Sequence, residues 1–182
     1  LEFRRVLFRS AGTHEDYSSP AEAMHYHRYS YDTGRFISEF GIHASADLPA
    51  LGRWLGNDHL NLDDPILLAR NKATPKAKGM ALIDYEVGKP TSVQSYVTYS
   101  QVVQAEGLKF GIEHYRRRWP HCAGALVWQL NEPWPGMTWS LLDHDLGAKP
   151  GYYATARAFA PALSILRLTD DSRSEEHTSE LQ

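Results

Sequence analysis

An α/β fold with parallel strands is predicted, on three observations. The segment GRFISEFG (34–41) is a short apolar strand pattern that closes on one carboxylate, Glu39, and a glycine. A second apolar run, GALVWQLNEPWPGMTW (124–139), ends in aromatic and polar residues. Between the two lies a long helical pattern, and strand, helix, strand with a long crossover is the unit that makes parallel pairs. Catalytic carboxylates of (β/α) barrels stand at the C-terminal ends of strands, so Glu39 is the first candidate site residue.

Residues 11–33 are polar and read as a long loop, with a short helix near 21–29. In the strand that follows, strict alternation sends Phe36, Ser38 and Phe40 one way and Ile37 and Glu39 the other. The first set is assigned to the helix side and the second to the interior, which sets Glu39 at the mouth. A short helix is predicted over 48–55. Asp64 and Pro65 open another through Ala69, and 72–79 is basic and loop-like. The main helix begins near Thr91, where Thr91 and Gln94 have capping-box spacing after Pro90. Val93, Tyr96, Val97, Val103, Leu108, Ile112 and Tyr115 recur at helical intervals. Gly107 and Gly111 allow close approach to a sheet. Arg116, Arg117 and Arg118 suit the C-terminal dipole, and Pro120 ends the helix. The run 122–130 has the composition of a buried parallel strand. A last helix fits 152–159, and 162–168 starts a further strand.

Length and charge narrow the class. With 182 residues the chain is shorter than the roughly 250 of a complete (β/α)₈ barrel. A formal charge of −3, from 19 basic and 22 acidic residues, argues against a nucleic-acid or anionic-membrane partner. No apolar run reaches the roughly 18 residues of a membrane span. Cys122 is the single cysteine, so no intrachain disulfide forms, which favours a reducing, cytoplasmic compartment. Five Trp, ten Tyr and six Phe serve either a core or a site that packs rings on a ligand.

The two ends share an origin. The codons AGA TCG GAA GAG CAC ACG TCT GAA CTC CAG translate as RSEEHTSELQ, residues 173–182. Their reverse complement translates as LEFRRVLFRS, residues 1–10. Unrelated protein segments have no reason to be opposite strands of one DNA word, and the word resembles a sequencing adapter. Residues 1–10 and 173–182 are therefore read as translated adapter. Different codons in the source DNA would remove this reading.

Three segments carry a resemblance: GRFISEFGIHAS at 34–45, QAEGLKFGIEHYRRRWPHCAGALVWQLNEPWPGMTWSLLD at 104–143, and KPGYYATARAFAPAL at 149–163. They resemble the β-mannosidase branch of glycoside hydrolase family 2; residues 57–89 match less clearly. The resemblance implies a partial (β/α)₈ TIM barrel over 11–161, holding strands 7 and 8 and helices 7 and 8. It implies that 162–172 start a β-sandwich domain. It also implies retaining hydrolysis of terminal β-mannosides, with no cofactor and no metal. The substrate partner is then a β-mannoside oligosaccharide or glycoside, and the rest of a parent chain is required for folding.

On that alignment Glu39 takes the nucleophile position. Its acid/base partner belongs to an Asn-Glu pair after strand 4, and no candidate for it precedes Glu39. Trp128 takes the strand-8 tryptophan that lines the sugar subsite; the bland alternative is a core Trp. Asn131 and Trp134 are substrate-binding candidates or loop packing. His43 either reaches a sugar hydroxyl or is a satisfied surface histidine. The string NEPW also resembles the acid/base motif of family 1 glycosidases, which would make Glu132 the proton donor. Chain order and the strand-8 surroundings oppose this; members commonly have Asp there, and Glu132 is read as structural or as supporting the site residues from behind. Rival readings are a family 2 β-glucuronidase or β-galactosidase, a non-catalytic carbohydrate-binding segment, and a structural remnant.

Remaining constellations read blandly. His25 and His27 form an HxH pair with metal-ligand spacing, but no carboxylate cluster accompanies them in sequence, and they are assigned to a solvated loop. Asp63-Asp64 and Asp143-His144-Asp145 read as caps and turns rather than cation sites.

Overall fold

A computed structural model describes residues 3–7, 25–72, 80–168 and 174–180. The strands are β1 (Phe3–Leu7), β2 (Phe36–Gly41), β3 (Ala125–Val127), β4 (Ala162–Leu168) and β5 (Ser174–Glu180). The helices are α1 (Leu48–Leu55), α2 (Pro65–Ala69), α3 (Met80–Glu86), α4 (Val93–Arg117) and α5 (Pro150–Ala158), with a 3-10 helix at Tyr26–Tyr31. β1, β2 and β3 form a parallel sheet in that order, and β4 pairs antiparallel with β5. The fold is mixed α/β with a small sheet, as expected at the level of class.

α4 organises the packing. Its 25 residues extend about 38 Å, long enough to serve two apolar clusters. Val103, Leu108, Ile112 and Tyr115 pack with Ile37, Phe40 and Ile42 from β2 and its exit. Towards the other end, Val93, Tyr96 and Val97 meet Leu51 of α1, Leu67 of α2 and Ile83 of α3. Each such buried side chain contributes about 1.5–3 kcal/mol of transfer free energy. The helix comes close because Gly107 and Gly111 carry no Cβ. One at Gly107 would stand 2.1 Å from Ile42 Cδ1, and one at Gly111 3.1 Å from Phe40 Cε2.

Several expectations are corrected. β2 does not alternate strictly. Arg4 pairs with Ile37 but Arg5 with Glu39, and Ile37 and Phe40 stand opposite Ala125 and Val127. This is a bulge at Ser38: one extra residue resets the pleat, so Ile37 joins Phe40 in the core instead of sharing a face with Glu39. The capping box of α4 is made one residue later than predicted, by Ser92 and Ser95. The predicted strand at 122–130 shrinks to Ala125–Val127. Its side chains are exposed or half-buried, because no further described strand covers its outer edge.

The predicted helix at 21–29 falls partly outside the described residues, and the described part is the 3-10 helix. The loop at 73–79 lies outside them altogether. α3 went unpredicted. The arginines at the end of α4 do more than offset a dipole. Arg116 donates to the carbonyls of Ala158 and Ala160, both at 2.6 Å, closing the end of α5. Arg118 donates to the carbonyls of Thr33 and Gly34, bracing the entry to β2.

β1 and β5 lie within residues 1–10 and 173–182. Each contributes a backbone ladder to the edge of a neighbouring strand, and such an edge accepts any extended segment. Among the described residues no helix is long and apolar enough to cross a membrane.

Candidate active site

The site is built at the C-terminal ends of β2 and β3. After the bulge, Phe40 is wholly buried against α4, its ring edge-on to Tyr29 and Tyr115. Alternation sends the preceding side chain, half-buried Glu39, to the opposite face. Arg35, the nearest cation before Glu39 in sequence, is exposed and lies before the N-terminal end of the strand. Two residues beyond Glu39, Gly41 lies flat against the chain leaving β3. A Cβ there would stand 2.0 Å from the Trp128 carbonyl oxygen. The Trp128 N–H donates to the Phe40 carbonyl at 2.7 Å, and the Trp128–Gln129 peptide is cis. Glu39 and Trp128 thus share one end of adjacent parallel strands. Trp128 is 40% exposed.

The loop after β3 is held from below. Gln104 of α4, fully buried, donates to the carbonyls of Ile42 at 2.9 Å and Ser140 at 3.2 Å. Lys149 is buried too. Its ammonium reaches the Ala44 carbonyl at 3.0 Å, Ser140 Oγ at 3.2 Å and the Thr138 carbonyl at 3.5 Å. Burial pushes its pKa down to about 7, against the attraction of Asp143 and Glu132. Nothing in the local pattern marks either residue, since Gln and Lys are ordinarily surface residues.

His43 is 2% exposed, so the surface-histidine alternative is wrong. Its Nε2–H donates to the Met137 carbonyl at 2.9 Å, and the ring stands edge-on to Trp139. Burial, then the Lys149 charge, lowers its pKa to about 4. Asn131 is exposed on the loop. Trp134 is 54% exposed, with the Arg70 guanidinium 5.1 Å from its ring centre. Glu132 is buried. It accepts from Gln129 Nε2 at 3.1 Å and from the Trp134 N–H at 3.3 Å, and Lys72 Nζ lies 3.5 Å away. Asp64 caps α2, and Asp145 accepts from Arg53 and Trp54.

A pH dependence follows from the two buried bases. Each has a depressed pKa in the folded state, so the unfolded chain binds more protons between the two values. His43 contributes stability that is complete above about 6.5 and is lost as pH falls towards 4. By pH 5 the loss is about 2 kcal/mol. Lys149 acts with the same sign, adding stability as pH rises from about 7 towards 10.5. Urea denaturation of the protein and of His43→Gln at pH 7 and pH 5 checks this. The variant keeps a donor for Met137 and should show a shallower acid slope; an unchanged slope removes the assignment.

No family profile matches the chain. β-Mannosidase B of Aspergillus niger is 38% identical over 138 residues, which are 72% of this chain and 16% of that protein. β-Mannosidase B of Emericella nidulans is 36% identical over 145 residues, covering 75% and 17%. The crystal structure of β-D-mannosidase from Dictyoglomus thermophilum superposes with a TM-score of 0.75 at 30% identity, over 80% of this chain and 18% of that one. An exo-chitosanase of Amycolatopsis orientalis shares the fold, with a TM-score of 0.62 at 19% identity. By these likenesses the chain resembles a segment of glycoside hydrolases of the β-mannosidase kind. The chain is a β-mannosidase-like segment of glycoside hydrolase family 2. It spans about one sixth of the length of the curated relatives it matches.

Proposed function

We propose that the chain supplies the nucleophile half of a retaining exo-β-mannosidase. The observation that carries this is the contact of Gly41 with the Trp128 backbone, which seats a carboxylate strand end beside an exposed indole. On this reading β2 and β3 are strands 7 and 8 of a (β/α)₈ barrel, α4 and α5 are helices 7 and 8, and β4 opens a β-sandwich domain.

Glu39 attacks the anomeric carbon and forms a glycosyl ester while a second carboxyl group, outside this chain, protonates the leaving oxygen. That group then activates water to hydrolyse the ester. Retention requires the two carboxyls roughly 5–5.5 Å apart. Trp128 packs on the C–H face of the sugar, and Asn131 and Trp134 extend the contact along the loop. His43 acts from beneath, holding Met137 and the Trp139 segment in place.

Without its acid/base partner this chain alone is inactive. Residues 1–10 and 173–182 remain assigned to adapter sequence, with β1 and β5 filling edges that other strands of the parent would occupy. Assay of the complete parent enzyme against aryl β-mannoside, β-glucuronide and β-galactoside tests the specificity. Preference for the mannoside by at least tenfold in kcat/KM is the expected result. Preference for another sugar moves the assignment within family 2, and hydrolysis of none leaves the carbohydrate-binding and structural-remnant readings, which mannose binding separates.

A further inference from the structure

The HxH pair is not in a solvated loop, and the carboxylate it lacks in sequence arrives from 61 positions away in the chain. Glu86, the last residue of α3, keeps 7% of its side chain exposed. Its Oε1 accepts from Nδ1–H of His25 and from the Tyr26 N–H at 3.1 Å. That pairing fixes the His25 tautomer. With Nδ1 donating, Nε2 presents a lone pair. Nε2 faces Nδ1 of His27 at 2.6 Å. At that separation His27 Nδ1–H donates to His25 Nε2 when no cation is bound; a tetrahedral ion with bonds of about 2.0–2.1 Å would replace that proton and hold the two nitrogens about 3.3 Å apart, a small turn of the exposed His27 ring.

The surroundings favour a cation. The three ligand-bearing groups have donor atoms within 4.8 Å of one another. His27 is exposed, leaving room for water to complete a coordination sphere. Aromatic rings restrain the imidazoles: Tyr85 stands 4.8 Å from His25, and Phe110 stands 4.7 Å from His27, edge-on. A carboxylate that orients a ligating imidazole through its far nitrogen is the arrangement that raises imidazole basicity at zinc sites.

We propose that His25 Nε2 and His27 Nδ1, oriented by Glu86, bind a divalent transition metal of the zinc class. Two imidazoles exclude the hard cations, since magnesium and calcium take oxygen ligands. Both sides of the site are structural: one lies in the 3-10 helix that precedes β2, the other ends α3. A bound ion therefore clips the approach to the Glu39 strand onto the helical layer. The site stands apart from the glycosidase reading and does not depend on it.

Titration of the complete parent enzyme with zinc chloride against a chromophoric chelator tests the proposal, with cobalt(II) absorption as a second readout. The expected result is one ion per chain and visible cobalt bands of a four- or five-coordinate nitrogen–oxygen site. His27→Ala should weaken zinc at least tenfold with an unchanged circular dichroism spectrum. Glu86→Gln should weaken it about 10- to 100-fold, the scale of lost outer partners. Zinc should also raise the melting temperature of the unmodified parent enzyme and leave that of its His27→Ala variant unmoved. His27→Gln serves should the alanine variant fold poorly. Absence of binding, or zinc affinity unchanged in the His27 variants, overturns the site and leaves a proton shared between the two rings.

Discussion

Glu39→Gln in the complete parent enzyme is expected to lower kcat by at least about 10⁴-fold, the scale of nucleophile removal in other covalent-catalysis enzymes. The amide matches the carboxylate in size, so the fold loses nothing comparable. Half-buried Glu39 is not part of the Ile37–Phe40 core, and Phe40 would still pack on α4. What disappears is the anionic oxygen that must form the ester to the anomeric carbon. Two measurements separate this from a general loss of structure. The variant should keep its unfolding midpoint, and a 2-fluoro-mannosyl inactivator should label Glu39 in the unmodified enzyme. Labelling of another carboxylate, Glu132 included, would defeat the assignment. Turnover within tenfold of the unmodified enzyme would defeat it more directly.

Gly41→Ala is expected to destabilise the fold by about 3 kcal/mol or more, in the range of severe overpacking. The cause is contact and not conformation, since Gly41 is not among the glycines of positive φ. Its new methyl carbon would overlap the Trp128 carbonyl oxygen at 2.0 Å, an atom of the backbone that no rotamer change can remove. Relief requires β2 and the exit of β3 to part by about 1 Å, which breaks the 2.7 Å bond from Trp128 to Phe40. Urea denaturation followed by circular dichroism measures the cost. In the parent enzyme the same change should raise KM or lower kcat by moving the indole relative to Glu39. An unfolding free energy within 1 kcal/mol of the unmodified protein would show that the strand ends are free to separate and are not the anchor of the site.

Much of this arrangement was legible in residue order. The apolar spacing from Val93 to Tyr115 marks α4, because a helix must bury one stripe. Asp64-Pro65 marks the start of α2, because Asp accepts the first free N–H groups and Pro needs none. GRFISEFG marks both the strand and its terminal carboxylate. The failures share a different cause. The bulge at Ser38 depends on how β2 registers with two neighbours, and periodicity within one strand cannot express that. The length of β3 depends on which edges are covered.

Composition and local pattern by themselves determined that this chain is α/β, that its main helix carries two glycines which permit close approach to a sheet, and that Glu39 closes the strand before it. These follow from rules acting over a few residues: helical period, pleat, capping and steric bulk. Tertiary structure alone decided that Gly41 seats Trp128 beside the Glu39 strand end, that His43 and Lys149 are buried bases, and that Glu86 meets His25 across 61 positions. Burial and charge pairing depend on which distant segments share a volume, and that is set by chain closure over the whole molecule, not by any residue's neighbours in sequence.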